Sequence, residues 1–225
     1  MDQLEQITAL IALTMGVGWA SGINLYATIL MLGLMANTGN LQLPAGLEIV
    51  ADPMVLMAAG FMYCVEFFAD KVPGVDTGWD TLHTFIRIPA GAALAAGAVG
   101  DMNEAVILAA ALVGGSLSAT SHALKAGGRV MINTSPEPVT NWTASITEDL
   151  AVFGGLWTAL NYPVAFLIGL VLFIALVVWL LPKIWRGVKK LFAFLAGLFG
   201  SRDDDIRYPE DNSNALPHQH GRYKN

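Results

Sequence analysis

The chain has 225 residues, of which 55% are hydrophobic and only 13% charged. Soluble domains carry about 25% charged residues. The shortfall, with the long apolar runs, excludes an ordinary soluble protein and predicts an all-α, polytopic helical membrane protein. The formal net charge of −6 lies largely in loops and the C-terminal stretch. No basic surface is available to neutralise phosphates, so the expected partner is the lipid bilayer and not nucleic acid.

A bilayer core of about 30 Å takes about 20 apolar helical residues, and six segments meet that ruler. The first, 7–35, is too long for one straight crossing and is interrupted by Gly16, Gly18, Ser21 and Gly22. The second covers 53–70. The third, 79–99, contains Pro89, where a kink is expected. The fourth, 104–126, is interrupted by Gly114, Gly115, Ser116 and Ser118. The fifth and sixth cover 144–160 and 162–181. Whether the first and fourth cross the membrane or turn back is left open by the sequence. Residues 1–182 thus form the expected transmembrane bundle, in halves of 1–100 and 101–182.

Beyond it, Lys183, Arg186, Lys189 and Lys190 surround Trp185 ahead of a short apolar run. Residues 183–199 therefore read as a basic amphipathic interfacial helix. From Ser201 onward the chain is polar and reads as a disordered cytoplasmic tail within 200–225. His218 and His220 in that tail make a poor metal site. The single cysteine, Cys64, permits no intramolecular disulfide and is expected as a small buried hydrophobe. The first residues carry no Lys or Arg, the wrong start for a cleaved signal peptide, so the first apolar segment is expected to be retained.

Orientation follows the basic residues. With six spans and the N-terminus inside, the cytoplasmic regions hold Lys71, Lys125, Arg129 and the basic stretch after 182. The opposite side holds Glu48, Asp52, Asp101 and Glu104 and no Lys or Arg. Both termini are thus expected in the cytoplasm. A weak internal similarity relates 15–27 to 113–125, placing Gly16 with Gly114 and Asn24 with His122. It extends to Phe68–Pro73 against Thr158–Pro163. Two halves of three spans would be an inverted repeat with Gly-broken helices, a recurrent transporter architecture. The plainer reading of the small residues is close helix packing.

Charges in hydrocarbon are costly and point inward. Asp80, His83 and Arg87 lie at i, i+3 and i+7, on one face of a helix. Glu66 and Asp70, at i and i+4 on the preceding segment, are their expected partners, with His83 a group that titrates near neutral pH. His122, Lys125 and Arg129 repeat the spacing, with Ser118 extending the row and Glu148 and Asp149 as counter-charges. Two cations and a histidine on one face suit a phosphate or carboxylate. In both clusters the alternative is an ion-pair network that neutralises itself. The Pro-flanked loop 133–138 is expected to fold back into the protein. Asn24, in a Gly-rich helix, is suited to satisfying freed backbone groups. There is no nucleophile elbow, zinc-protease motif, phosphate loop or Cys-based metal motif, so no cofactor, no metal and no catalytic residue are assigned.

The stretches GINLYAT (22–28), EFFADKVPGVDTGWDTLHTFIR (66–87) and KAGGRVMINTSPEPVTNW (125–142) resemble a family of bacterial integral membrane proteins, the domain of unknown function number 4126, over about 8–180. The resemblance implies a bacterial inner-membrane protein and no reaction. Its recurrent polar residues coincide with Asn24, Glu66, Asp70, Lys71, Asp80, His83, Arg87, Lys125 and Arg129. The functional expectation is a small transporter or channel with a charged, cytoplasm-facing cavity for a small anion, a proton-coupled solute or an anionic lipid head group. In it Asn24 and His122 mark helix breaks, Arg87, Lys125 and Arg129 attract anions, and Glu66, Asp70, Asp80 and Glu148 balance or relay protons. A non-transporting scaffold predicts instead a closed bundle with every charge paired. A lipid-modifying enzyme predicts a histidine within hydrogen-bond reach of a carboxylate.

Overall fold

A computed structural model of the chain describes residues 2–134 and 138–200. Among these the chain is all helix: α1 (Gln3–Asn37), a 3-10 helix (Ala45–Ala51), α2 (Pro53–Ala69), α3 (Val75–Ala98), α4 (Glu104–Ile132), α5 (Pro138–Asn161) and α6 (Pro163–Gly200). The tip of the loop expected to fold back, 135–137, and the expected tail from Ser201 lie outside the described residues. By contacts the chain divides after Val188, and the site described below lies wholly in the unit before that point.

The helix starts follow local chemistry. Asp52 accepts from the Met54 and Val55 amides at 2.7 and 3.4 Å, with Pro53 at the first helical position, so α2 begins there. Asn103 accepts from the Val106 amide at 3.1 Å and starts α4. Gly74, at φ +86°, makes the left-handed turn that lets α3 follow α2 closely.

Among the described residues three helices are long and apolar enough to cross a membrane, α1, α4 and the Pro163–Phe194 part of α6, or four if the 3-10 helix and α2, bent by 64°, form one broken span. The six apolar segments all become helices, but α3 and α5 are not apolar enough over 18 residues to count as spans on their own. Their polar faces need neighbours. The central element is α1, with 72% of its apolar window buried, against 33% for α4 and 17% for α6. It is apolar on all sides, as a buried helix must be, and it packs on α3, α4 and α5. Its approach to α4 is backbone-close: a Cβ on Gly18 would lie 2.6 Å from Gly114 Cα. Trp19 stacks edge-on against Phe166 and Phe173 at 6.0 Å each, joining α1 to α6. The outward faces are large and apolar, with Val164, Ile168, Val171, Leu172 and Val178 of α6 all more than half exposed. A continuous surface of this kind suits lipid and not water.

Three expectations need correction. The run Gly16, Gly18, Ser21 and Gly22 does not interrupt α1; the break falls at Asn24 (φ −148°, ψ 100°), the residue expected to mark one. α4 runs unbroken through His122. Its small residues serve contact instead: Ser121 Oγ bonds back to the Leu117 carbonyl at 2.9 Å and across to the Trp19 carbonyl at 2.8 Å, and Gly114 lies against Ala95. Cys64 is exposed, on the outer face of α2, and not buried. In addition, α6 continues as one helix through Pro182 and the basic stretch to Gly200.

Candidate functional site

Spacing on each helix gathers the charged side chains at one level of the bundle. α2 contributes Glu66 and, at its C-cap, Asp70. The face of α3 carries Asp76, Asp80, His83 and Arg87. α4 carries His122, Lys125 and Arg129, and α5 carries Glu148 and Asp149. The network is nearly sealed. Glu66, Asp76 and Arg87 are fully buried, and Asp80 and Arg129 are 1% exposed.

Arg87 Nη2 donates to Glu66 Oε1 at 2.6 Å, and its Nη1 lies 3.3 Å from Asp80 Oδ1. Lys125 Nζ reaches Asp70 Oδ2 at 2.8 Å, Glu66 Oε1 at 3.1 Å, Glu148 Oε2 at 3.5 Å and Asp80 Oδ1 at 3.9 Å. Arg129 pairs with both Glu148 oxygens through Nη2 at 2.6 Å and Nε at 3.3 Å, and donates to the Asp70 carbonyl at 2.8 Å. Arg129 Nη2 also lies 3.6 Å from Asp70 Oδ2, and its Nη1 lies 4.0 Å from Asp76 Oδ2. Every cation on these faces is therefore held by carboxylates.

The break in α1 ends inside this network. An α-helix leaves its last carbonyls without amide partners, and that end carries partial negative charge. Here the Gly22 carbonyl accepts from Arg87 Nη1 at 3.4 Å and the Ile23 carbonyl from Lys125 Nζ at 3.2 Å. Asn24 restarts the helix as its cap: Oδ1 accepts from the Ala27 amide at 2.9 Å, while Nδ2 donates to Asp149 Oδ1 at 3.0 Å. Tyr63 donates to the other Asp149 oxygen at 3.2 Å.

Neither histidine reaches a carboxylate by hydrogen bond. Arg87 Nη1 lies 3.2 Å from His122 Nδ1, and since a guanidinium only donates, Nδ1 accepts. Nε2 then donates to Thr84 Oγ1 at 2.7 Å. His83 Nδ1 donates to the Trp79 carbonyl at 2.9 Å, leaving Nε2 to accept from the Tyr26 hydroxyl at 3.0 Å. The arrangement that a lipid-modifying enzyme was expected to show is thus not formed by these side chains.

All ten residues singled out from sequence (Asn24, Glu66, Asp70, Asp80, His83, Arg87, His122, Lys125, Arg129 and Glu148) lie in or directly against one cluster. Sequence reasoning missed Asp76, which lies one turn before Asp80 on the same face. Its Oδ1 accepts from the Gly74 and Thr77 amides and from Asn133 Nδ2 at 2.8 Å. Extending the Asp80–His83–Arg87 row backward by four would have found it. It also missed Asn141, which joins through Asn133 at 2.9 Å. Lys71, in the turn between α2 and α3, stands apart: its ammonium lies over the Phe67 ring and donates to the Phe67 carbonyl at 2.9 Å, and burial pulls it below its usual pKa.

One small cleft, about 200 Å³, reaches the network between α1, α4, α5 and α6, with Lys125, Arg129, Glu148 and Phe173 in its wall. The Glu148 side chain is 20% exposed, whereas those of Glu66, Asp70, Asp80, Arg87, Lys125 and Arg129 are at most 4%. Glu148 is therefore the carboxylate through which the network reaches the surface. Among the described residues no group of His, Cys, Asp and Glu has the grouping of a metal site.

No curated protein and no solved structure matches the chain. A family model described as a domain of unknown function (DUF4126) matches residues 11–183, a range that contains every residue of the network. The chain belongs to the DUF4126 family.

Proposed function

We propose that the protein is a small membrane transporter or channel that works through the buried ionic network, with a proton-coupled solute as its cargo. The observation that carries this reading is the central helix broken at Asn24, whose freed carbonyls end on Arg87 and Lys125 in a network open to a cleft at Glu148. Broken helices with their half-helix ends at a charged site are how transporters build sites within the membrane. A free small anion or a lipid phosphate fits less well, because Arg87, Lys125 and Arg129 are already engaged by carboxylates. The reading places the protein in an inner membrane with both termini and the cleft on the cytoplasmic side. An origin as a three-plus-three inverted repeat is compatible with it and not required by it.

The test is flux in liposomes holding a trapped pH-sensitive dye, with purified protein and a panel of small carboxylates, amines and neutral solutes. Solute-dependent proton movement that is lost in Glu148→Gln supports the reading. No flux for any solute, from protein that unfolds as cooperatively as in detergent, overturns it. The scaffold reading is favoured by a specific observation, the pairing of Arg87, Lys125 and Arg129 with carboxylates in a nearly sealed network, and would then stand.

A further inference from the structure

The network holds more acid than base. Glu66, Asp70, Asp76, Asp80 and Glu148 supply five carboxylates, and Arg87, Lys125 and Arg129 supply three cations, so five minus three leaves two uncompensated negative charges. Adding the neighbouring Asp149 and Lys71 leaves the difference unchanged. A buried charge without a partner costs several kcal/mol, and such a group takes up a neutralising ion instead. Several oxygens are also left without hydrogen bonds: Glu66 Oε2, Asp70 Oδ1, Asp76 Oδ2 and both oxygens of Asp80.

We infer that this network binds protons and that Asp80 is the first acceptor, an inference that rests on the transport reading and names its coupling ion. Asp80 is the least supported of the five. It is 1% exposed and neither oxygen receives a hydrogen bond, its contacts being ion-pair approaches to Arg87 and Lys125 at 3.3 and 3.9 Å. Glu66 and Asp70 each hold a bond of 2.8 Å or less, Asp76 Oδ1 accepts four, and Glu148 is held by Arg129 at 2.6 Å and reaches the surface. Protonating Asp80 therefore gives up the least. The reaction adds one proton to one carboxylate oxygen and breaks no bond.

The groups facing the site are these. α1 presents Tyr26, and α2 presents Glu66 and Asp70. α3 adds Asp76, His83 and Arg87, α4 adds His122, Lys125 and Arg129, and α5 adds Glu148 and Asp149. A sodium ion fits less well than a proton. The bare Asp80 oxygens lie beside a guanidinium and an ammonium, which repel a metal ion, while a proton needs no coordination shell.

The experiment is infrared spectroscopy on the full chain in detergent at neutral pH, in light and heavy water. The expected result is a carboxylic-acid C=O stretch that shifts on deuteration and is lost in Asp80→Asn. Asp80→Asn should unfold at the wild-type temperature, whereas Asp70→Asn, which breaks a true ion pair, should lower it. The inference is overturned if the band is absent, if it persists undiminished in Asp80→Asn, or if sodium at fixed pH raises the melting temperature and Asp80→Asn abolishes that rise. A band present with no flux keeps the inference and removes the transport reading; flux with no band does the reverse.

Discussion

Arg87→Gln is the substitution whose cost the geometry fixes best. Arg87 is fully buried and holds Glu66, also fully buried, at 2.6 Å, with the Gly22 carbonyl, His122 and Asp80 as further partners. Glutamine keeps some volume but removes the charge. Glu66 is then left with Lys125 at 3.1 Å alone, and Lys125 is already shared with Asp70. The network's excess negative charge rises from two to three. Removing one partner from a buried pair costs about 3–5 kcal/mol, because the other charge is stranded. The double variant Glu66→Gln/Arg87→Gln restores the original excess of two and places two amides opposite each other. It should recover more than half of the loss, although the two single effects added together would predict a larger one. The assay is reversible unfolding in mixed micelles of mild detergent and dodecyl sulfate, followed by circular dichroism, for wild type, both single variants and the double. A cost below about 1 kcal/mol for Arg87→Gln, the range of an exposed pair, would refute the reasoning. So would a double variant as unstable as the sum of its parts.

Further expectations can be checked with the same or simpler measurements. Swapping the amide and carboxylate across the α1 break tests its cap: Asn24→Asp keeps an acceptor for the Ala27 amide but sets a second carboxylate against Asp149, so it should lose about 1–2 kcal/mol, and adding Asp149→Asn should restore most of it. Gly78→Ala on α3, with nothing within 4 Å of the new methyl, should stabilise by about 0.5–1 kcal/mol. In a Cys64→Ala background, an impermeant thiol reagent should label Asn40→Cys and Val72→Cys from opposite faces of oriented vesicles. Labelling of both from one face would mean that the bent pair of the 3-10 helix and α2 turns back without crossing.

The site was legible in the sequence because charge in an apolar helix has few innocent explanations. The i, i+3, i+7 spacing of Asp80, His83 and Arg87, and its repeat at His122, Lys125 and Arg129, fixed which faces would meet. What spacing could not give was pairing. Arg87 and Lys125 share Glu66 from different helices, and that depends on how α2, α3 and α4 pack. The glycines of α1 were misjudged for a related reason. Gly16, Gly18 and Gly22 look like interruptions on a propensity scale, but tertiary contact overrides propensity: those glycines let α4, α5 and α6 come close, and the helix continues through them. Asn24 breaks it instead, because its side chain can cap the next turn and reach Asp149 at once. Asp76 escaped notice because it lies before the apolar part of α3 begins, where an acid reads as an ordinary first-turn residue.

Gly22 shows how packing and charge depend on each other in this fold. Its missing side chain lets Ser118 and Ser121 of α4 close on α1, and a methyl there would meet the Ser121 hydroxyl and the Ser118 carbonyl. Its own carbonyl, freed by the break two residues on, is one of the acceptors of Arg87. Gly22→Ala therefore acts twice, by pushing α4 away and by carrying the carbonyl off the guanidinium. Overpacking alone costs about 1–3 kcal/mol. Gly18→Ala presses on the same pair of helices one turn earlier, with Gly114 Cα and its carbonyl oxygen at 2.6 and 2.8 Å from the added carbon, but it touches no network carbonyl. If both variants lose stability and only Gly22→Ala alters the infrared signature of the network, the break and the ion pairs form one device. If the two variants behave alike, the half-helix end adds nothing to the site beyond close packing, and the transport reading loses the observation on which it rests.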